Sequence, residues 1–168
     1  PEIDMPGHTL SLLAAYPEVS CTGGPFKVLE NWGIQKDVLC AGNEKTYSML
    51  EDILDELLEI FPSEIIHIGG DEAPKERWKA CSLCQEKMRA ENLSNEDELQ
   101  SYFVKRVAAY LESKDRKILG WDEIMEGGLA PNATVMSWTG VEGGIKAAKN
   151  GNDAIMTPVS HMYFDYYQ

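Results

Sequence analysis

The stretch Ile65-Ile66-His67-Ile68-Gly69-Gly70-Asp71-Glu72-Ala73-Pro74 decides how this sequence is read. Residues 65–68 form a short, near-continuous apolar run closed by two glycines. Four residues are too few for a helix, and a run apolar at successive positions suits a strand covered on both faces. The glycines let the backbone turn sharply where the strand ends, and two adjacent carboxylates follow at that turn. Outward from this stretch, the same order of apolar run and then functional cluster recurs. Residues 3–5 run into Pro6-Gly7-His8, with Asp4 among them. Residues 118–120 run into Trp121-Asp122-Glu123, residues 134–137 into Trp138, and residues 154–157 lead on to Tyr163-Phe164-Asp165.

Helical patterns separate these runs. After Asn43, a good N-cap, Leu50, Ile53, Leu54, Leu57, Leu58 and Phe61 recur at three- and four-residue spacing until Pro62 closes the run. A second helix opens at Asn95 with Glu98 three residues on, close to a capping box, and carries the stripe Leu99, Phe103, Val107 and Tyr110. A shorter helix is expected over residues 141–149, ended near Asn150 and Gly151, and no helix is expected after residues 154–157. Strands alternating with helices imply right-handed crossovers and an α/β fold. Functional groups at the carboxyl ends of parallel strands fit either a (β/α)8 barrel or an open doubly wound sheet. The clusters hold carboxylates and aromatics with no phosphate-cradling glycine fingerprint, which favours the TIM-barrel type. A complete barrel takes about 250 residues. The 168 residues here supply five strands, so the chain reads as a partial barrel.

Composition narrows the function. The chain is 43% hydrophobic and 26% charged, which suits an ordinary globular domain with a sizeable core. Its 15 Lys and Arg against 28 Asp and Glu give a net charge of −13. Such a field repels phosphate backbones and anionic headgroups, so neither nucleic acid nor a membrane surface is an expected partner. No run approaches the ~20 apolar residues of a membrane span, and no secretory signal is present. The first residue is Pro1 rather than Met, so the chain is expected to be processed or excised, and the missing signal does not locate the protein.

Asp71 and Glu72 are the leading candidates for chemistry. Repulsion between adjacent carboxylates is expected to keep one of them protonated, and a neutral carboxyl beside an ionised one equips a site for general acid catalysis. The alternative is two acids before Pro74 that merely complement a helix dipole. Asp122-Glu123 is a second acidic pair, and Asp4 and His8 bracket another strand end. A lone histidine is more often structural than catalytic. Trp121 and Trp138 end neighbouring strands and suit either the apolar face of a sugar ring or barrel core, whereas Trp32 and Trp78 fall in loops or helix starts. Cys81-Ser82-Leu83-Cys84 has half-site spacing for zinc, but no second pair stands at a fitting distance, so no metal is expected. Cys21 and Cys40 flank a glycine-bearing loop and suit a disulfide if the protein is exported. Free thiols are the plainest reading of all four.

At these residues the sequence resembles a known family. His67-Ile68-Gly69-Gly70-Asp71-Glu72 is similar to the signature of glycoside hydrolase family 20, the β-N-acetylhexosaminidases. Pro1 to His8, Gly120-Trp121-Asp122-Glu123, Ser137-Trp138 and Tyr163-Phe164-Asp165 match further family motifs in the family's order. The resemblance implies a (β/α)8 barrel of which this chain is the third to seventh strands, with residues 1–168 part of a single catalytic domain. It implies removal of terminal β-linked N-acetylglucosamine or N-acetylgalactosamine with retention, the substrate's 2-acetamido oxygen acting as nucleophile. Glu72 would be the general acid and then the base for water, and Asp71 would orient the acetamido group. Trp121 and Trp138 would wall its pocket, Tyr163 would hydrogen-bond its oxygen, and Asp165 would bind a sugar hydroxyl. His8 and His67 would lie at the pocket edge. No cofactor is implied, and the partners are N-acetylhexosamine-containing glycans. The family places such proteins in the periplasm, outside the cell or in lysosomes. Its first two strands with their arginine, its eighth strand with a further Trp and acid, and its common N-terminal α+β domain are not in these residues. The chain alone is therefore expected to self-associate or to be marginally stable, since its sheet would have open edges.

Overall fold

A parallel four-stranded sheet organises the computed structural model, which describes residues 1–31 and 33–165. Trp32 lies outside the described residues. The strands are β1 (Ile65–His67), β2 (Lys117–Trp121), β3 (Thr134–Ser137) and β4 (Ala154–Met156). Their order in the sheet is their order in the chain, with Ile66 opposite Ile118, Gly120 opposite Val135 and Met136 opposite Ile155. Each strand is added on the same side of the last. That is the winding of a barrel; a doubly wound sheet reverses its order at a switch point.

The expected strand at residues 3–5 needs correction. The segment runs parallel to the free edge of β1, with Ile3 N–H donating to the His67 carbonyl at 2.9 Å and Met5 N–H to that of Ile68 at 3.0 Å. Only Glu2 forms a regular bridge, to His67. Pro6 has no N–H to continue the ladder, and the chain leaves the sheet there.

Helices cover the outer face. Among the described residues they are α1 (Leu10–Ala15), α2 (Glu44–Ile60), α3 (Glu76–Ala80), α4 (Ser82–Ala90), α5 (Glu96–Glu112), α6 (Glu142–Lys149) and α7 (Val159–Met162), with 3-10 turns at Pro17–Val19 and Asp122–Met125. Asn43 caps α2 by accepting from Lys45 N–H, and the helix stops at Ile60, short of Pro62. Asn95 caps α5 by accepting from the amides of Asp97 and Glu98, while the Glu98 carboxylate takes the Ser94 N–H at 2.7 Å. This is the expected capping box displaced by one residue. Ile66, Ile68, Ile118 and Val135 of the sheet region are buried, as are Leu50, Leu54, Leu99, Phe103, Val107, Leu111 and Ala147 from α2, α5 and α6.

Two further expectations are corrected. A short helix, α7, does follow β4. All three residues of β4 are exposed rather than covered on both faces. Among the described residues β4 pairs only with β3, so its far edge presents backbone groups with no neighbouring strand beside the exposed side chains of Ile155 and Met156. At the opposite edge of the sheet, β1 has only the bridged segment beside it. The 168-residue chain, prepared alone, is therefore expected to self-associate in sedimentation experiments or to unfold without a sharp transition. A monomer with cooperative thermal unfolding would contradict this.

No helix of the described residues is long and apolar enough to cross a membrane.

Candidate active site

The carboxyl ends of the strands converge on a cleft of about 320 Å³ lined by Glu2, Asp4, His8, Asp71, Glu72, Trp121, Trp138 and Tyr163. A separate depression of about 270 Å³ lies at the other end of β2, among Glu112, Arg116, Lys117 and Asn132, and gathers no comparable set of groups.

The backbone after β1 explains how Asp71 and Glu72 enter the cleft together. Gly69 and Gly70 have φ of +68° and +94°, and a Cβ on Gly69 would overlap the Asp4 carboxylate. Among the described residues, five other than glycine have positive φ. Three are Asn92, Asp115 and Asn132, whose short polar side chains tolerate that region. The other two are His8 and Glu72, which meet in the cleft. Strain held at two facing side chains is a mark of function more than of packing.

His8 joins the acidic pair. Its Nε2 lies 3.3 Å from Asp71 Oδ2 and 3.3 Å from Glu72 Oε2, so one imidazole proton is within reach of both carboxylates. The second Asp71 oxygen, Oδ1, is buried without a hydrogen-bond partner in the structure. A buried carboxylate oxygen left in this state is an acceptor suited to a donor brought by a ligand.

The aromatic wall is continuous. Trp121 and Trp138 meet edge to face with ring centroids 6.3 Å apart, and Trp138 stacks on Tyr163 at 6.2 Å with 29° between the rings. Each indole N–H is held by an acid, Trp121 by Glu2 Oε1 at 3.0 Å and Trp138 by Glu123 Oε2 at 2.9 Å. Glu2 was not singled out in the sequence. The signal was present, because Glu2 and Asp4 alternate onto one face of an extended segment that ends in the site.

His67 stands behind this wall and not in the cleft lining. It contacts the Trp121 ring edge-on at 4.9 Å, and its Nδ1 accepts from Gly69 N–H at 3.0 Å. With that lone pair occupied, the neutral ring carries its proton on Nε2. Burial holds the pKa of His67 below the ordinary histidine value. The 3.2 Å approach of Glu2 to the same Nδ1 is therefore not an ion pair. Asp165 is exposed and does not line the cleft, two residues beyond Tyr163, which does. Trp78 is fully buried in α3 and donates to the Leu39 carbonyl at 2.9 Å, so it belongs to the core.

The carboxyls that burial pushes upward are Glu123, to about 7, and Asp4, to about 6. The charges of Asp122 and Asp71 add to the rise at Glu123, and the Trp138 N–H opposes it. Asp71 and Glu2 add to the rise at Asp4. A carboxyl with a raised folded-state pKa binds more protons folded than unfolded. Its contribution to stability is present below its unfolded value and is lost as pH rises towards the folded one. In the full-length protein, Glu123→Gln keeps an acceptor for Trp138 and removes this titration. It is expected to flatten the fall of the thermal midpoint between pH 4.5 and about 7. An unchanged slope would show that Glu123 does not titrate there.

Cys21, Cys40, Cys81 and Cys84 are all free thiols, the plainest reading of the sequence, and the disulfide that Cys21 and Cys40 would suit in an exported protein is not formed. A second pair does stand at a fitting distance from Cys81 and Cys84, and it is Cys21 with Cys40.

A sheet wound in one direction, with carboxylates and indoles at its carboxyl edge, makes the chain part of a (β/α)8 barrel. Comparison with known proteins gives the family. Residues 1–168 match the model of glycosyl hydrolase family 20, catalytic domain. The chain is 53% identical over 169 residues to a beta-hexosaminidase of Porphyromonas gingivalis, covering 100% of this chain and 22% of that protein. It is 36% identical over 172 residues to a beta-hexosaminidase of Akkermansia muciniphila, covering 100% and 35%. A crystal structure of a beta-N-acetylhexosaminidase from Bacteroides fragilis superposes with a TM-score of 0.88 at 33% identity, over 99% of this chain and 34% of that one. The chain belongs to glycoside hydrolase family 20, and it spans 22% and 35% of the lengths of these two curated relatives.

Proposed function

We propose that the full-length protein is an exo-acting, retaining β-N-acetylhexosaminidase that removes terminal β-linked N-acetylglucosamine or N-acetylgalactosamine from glycans. In this reading residues 1–168 are part of one catalytic barrel domain and supply its third to seventh strands. The observation that carries the reading is the pairing of Asp71 and Glu72 about His8 at the head of an indole-walled cleft.

Glu72 donates its proton to the leaving oxygen and then takes one from the attacking water. Asp71 accepts from the acetamido N–H through the oxygen that has no protein partner, and stabilises the positive charge that develops on the oxazolinium-like intermediate. Trp121, Trp138 and Tyr163 enclose the acetamido group, with the Tyr163 hydroxyl donating to its oxygen. His8 positions the two carboxylates, and His67 supports Trp121 from behind. Asp165 binds a sugar hydroxyl, a role that requires the exposed segment after Tyr163 to face the bound sugar. The protein works in the periplasm, outside the cell or in a lysosome, where such glycans are exposed.

A non-catalytic glycan-binding domain needs the aromatic wall but no proton donor, and the Asp71-Glu72 pair weighs against it. The experiment is release of 4-nitrophenol from its N-acetyl-β-glucosaminide by the full-length protein. Turnover supports the hydrolase. Saturable glycan binding without release would support the binding domain instead.

A further inference from the structure

Four sulfurs from three separate stretches of chain meet at one point outside the cleft lining. Cys21 follows the Pro17–Val19 turn, and Cys40 lies in the loop before α2. Cys81 joins α3 to α4, with Cys84 in the first turn of α4. The Sγ atoms of Cys21 and Cys84 are 3.8 Å apart, those of Cys40 and Cys81 3.7 Å, and those of Cys40 and Cys84 3.6 Å. All four lie within 4.8 Å of one another, three of them buried.

Those distances discriminate between explanations. A disulfide needs its sulfurs about 2.05 Å apart. Zinc–sulfur bonds of about 2.3 Å at tetrahedral angles place the sulfurs about 3.8 Å apart. The three measured separations fall at the second value, and they involve all four residues.

The backbone is also shaped for this meeting. A Cβ on Gly42 would overlap the Leu83 carbonyl and the Cys84 nitrogen, so the Cys40-Ala41-Gly42 loop can lie on the α4 turn only with glycine there.

We propose that Cys21, Cys40, Cys81 and Cys84 form a structural zinc site that ties the loop behind His8 to the helices that follow Glu72. Each thiol loses its proton, four protons are released, and the four thiolates close the coordination sphere, leaving no position for water or substrate. The link to the active site is short. Leu39, next to Cys40, donates its N–H to the Pro6 carbonyl at 3.0 Å and accepts the Trp78 indole N–H at 2.9 Å. Zinc therefore holds the segment carrying His8 against the segment carrying Asp71 and Glu72. The proposal stands on the thiol geometry and does not depend on the reaction catalysed.

The test is elemental analysis of the full-length protein purified without chelator, with peptide-level alkylation of the four cysteines. One zinc per chain is expected, with all four thiols reduced yet slow to alkylate until metal is stripped. Stripping should lower the thermal midpoint by about 5 °C or more. Cys21→Ser, at the half-exposed corner, should lose zinc. If that variant does not fold, cobalt exchanged into the wild type should give the visible spectrum of a tetrahedral cobalt tetrathiolate. Two disulfides among these residues, four reduced thiols that alkylate freely without metal, or one iron per chain in place of zinc would overturn the proposal.

Discussion

Glu72→Gln in the full-length protein is expected to lower kcat/KM roughly 10²–10⁴-fold on natural glycosides, and much less on aryl glycosides with acidic phenols. The asymmetry follows from the role. A sugar hydroxyl is a poor leaving group until it is protonated, whereas an acidic phenolate departs unaided. Glutamine keeps the shape of Glu72 but has no proton to give. Equal losses on both substrate types would remove Glu72 from the acid role, and a variant like the wild type would remove it from the site.

Asp71→Asn is expected to act on a different step. A thiazoline that mimics the cyclised intermediate should bind the wild type tightly, as mimics of high-energy states do. In the proposed reading Asp71 accepts from the acetamido nitrogen of that complex. Replacing it should weaken thiazoline inhibition and turnover together, by roughly two to three orders of magnitude for a charge-stabilising contact. Asn can still accept from an N–H, so the loss isolates the charge. Unchanged thiazoline affinity in a variant with impaired turnover would place Asp71 outside the acetamido pocket.

The barrel winding was legible because each strand ends in residues a strand interior does not tolerate. Gly69-Gly70 and the polar and aromatic clusters after residues 120 and 137 mark those ends, and the long helices announce themselves through Asn43 and Asn95. Less legible were α3 and α4. Their residues 76–90 carry six charged side chains among fifteen, and they are held by tertiary contacts such as the Trp78 indole on Leu39. The bridged segment at Glu2 was read as a full strand because apolar content reports burial, not the regularity of a ladder that Pro6 interrupts. For β4, apolar content suggested cover, but cover depends on neighbours, and β4 has a paired strand on one side only.

The site was legible as a set of strand ends but not as a geometry. That His8 stands between Asp71 and Glu72 follows from left-handed backbone at two residues whose identities do not announce it. The raised carboxyls, Asp4 and Glu123, owe their shifts first to burial, which spacing does not report. The sulfur cluster was hidden by distance along the chain. Cys21 and Cys84 are 63 residues apart, and Cys40 and Cys81 are 41 apart, so a search for paired half-sites at zinc-finger spacing passes over them.

In the proposed reaction the substrate's acetamido group, and no carboxylate of this chain, attacks the anomeric carbon. The direct measurement is kcat/KM of the full-length protein on matched aryl N-acetyl-β-glucosaminide and β-glucoside, which differ only at the 2-position. A nucleophile held within the substrate beside the aromatic wall has a high effective concentration, and the 2-hydroxy analogue lacks it. A loss of roughly three or more orders of magnitude is expected on the glucoside, about 4 kcal/mol or more of transition-state stabilisation. Comparable turnover of the two substrates would contradict it and point to an enzyme-borne nucleophile such as Asp122 or Glu123.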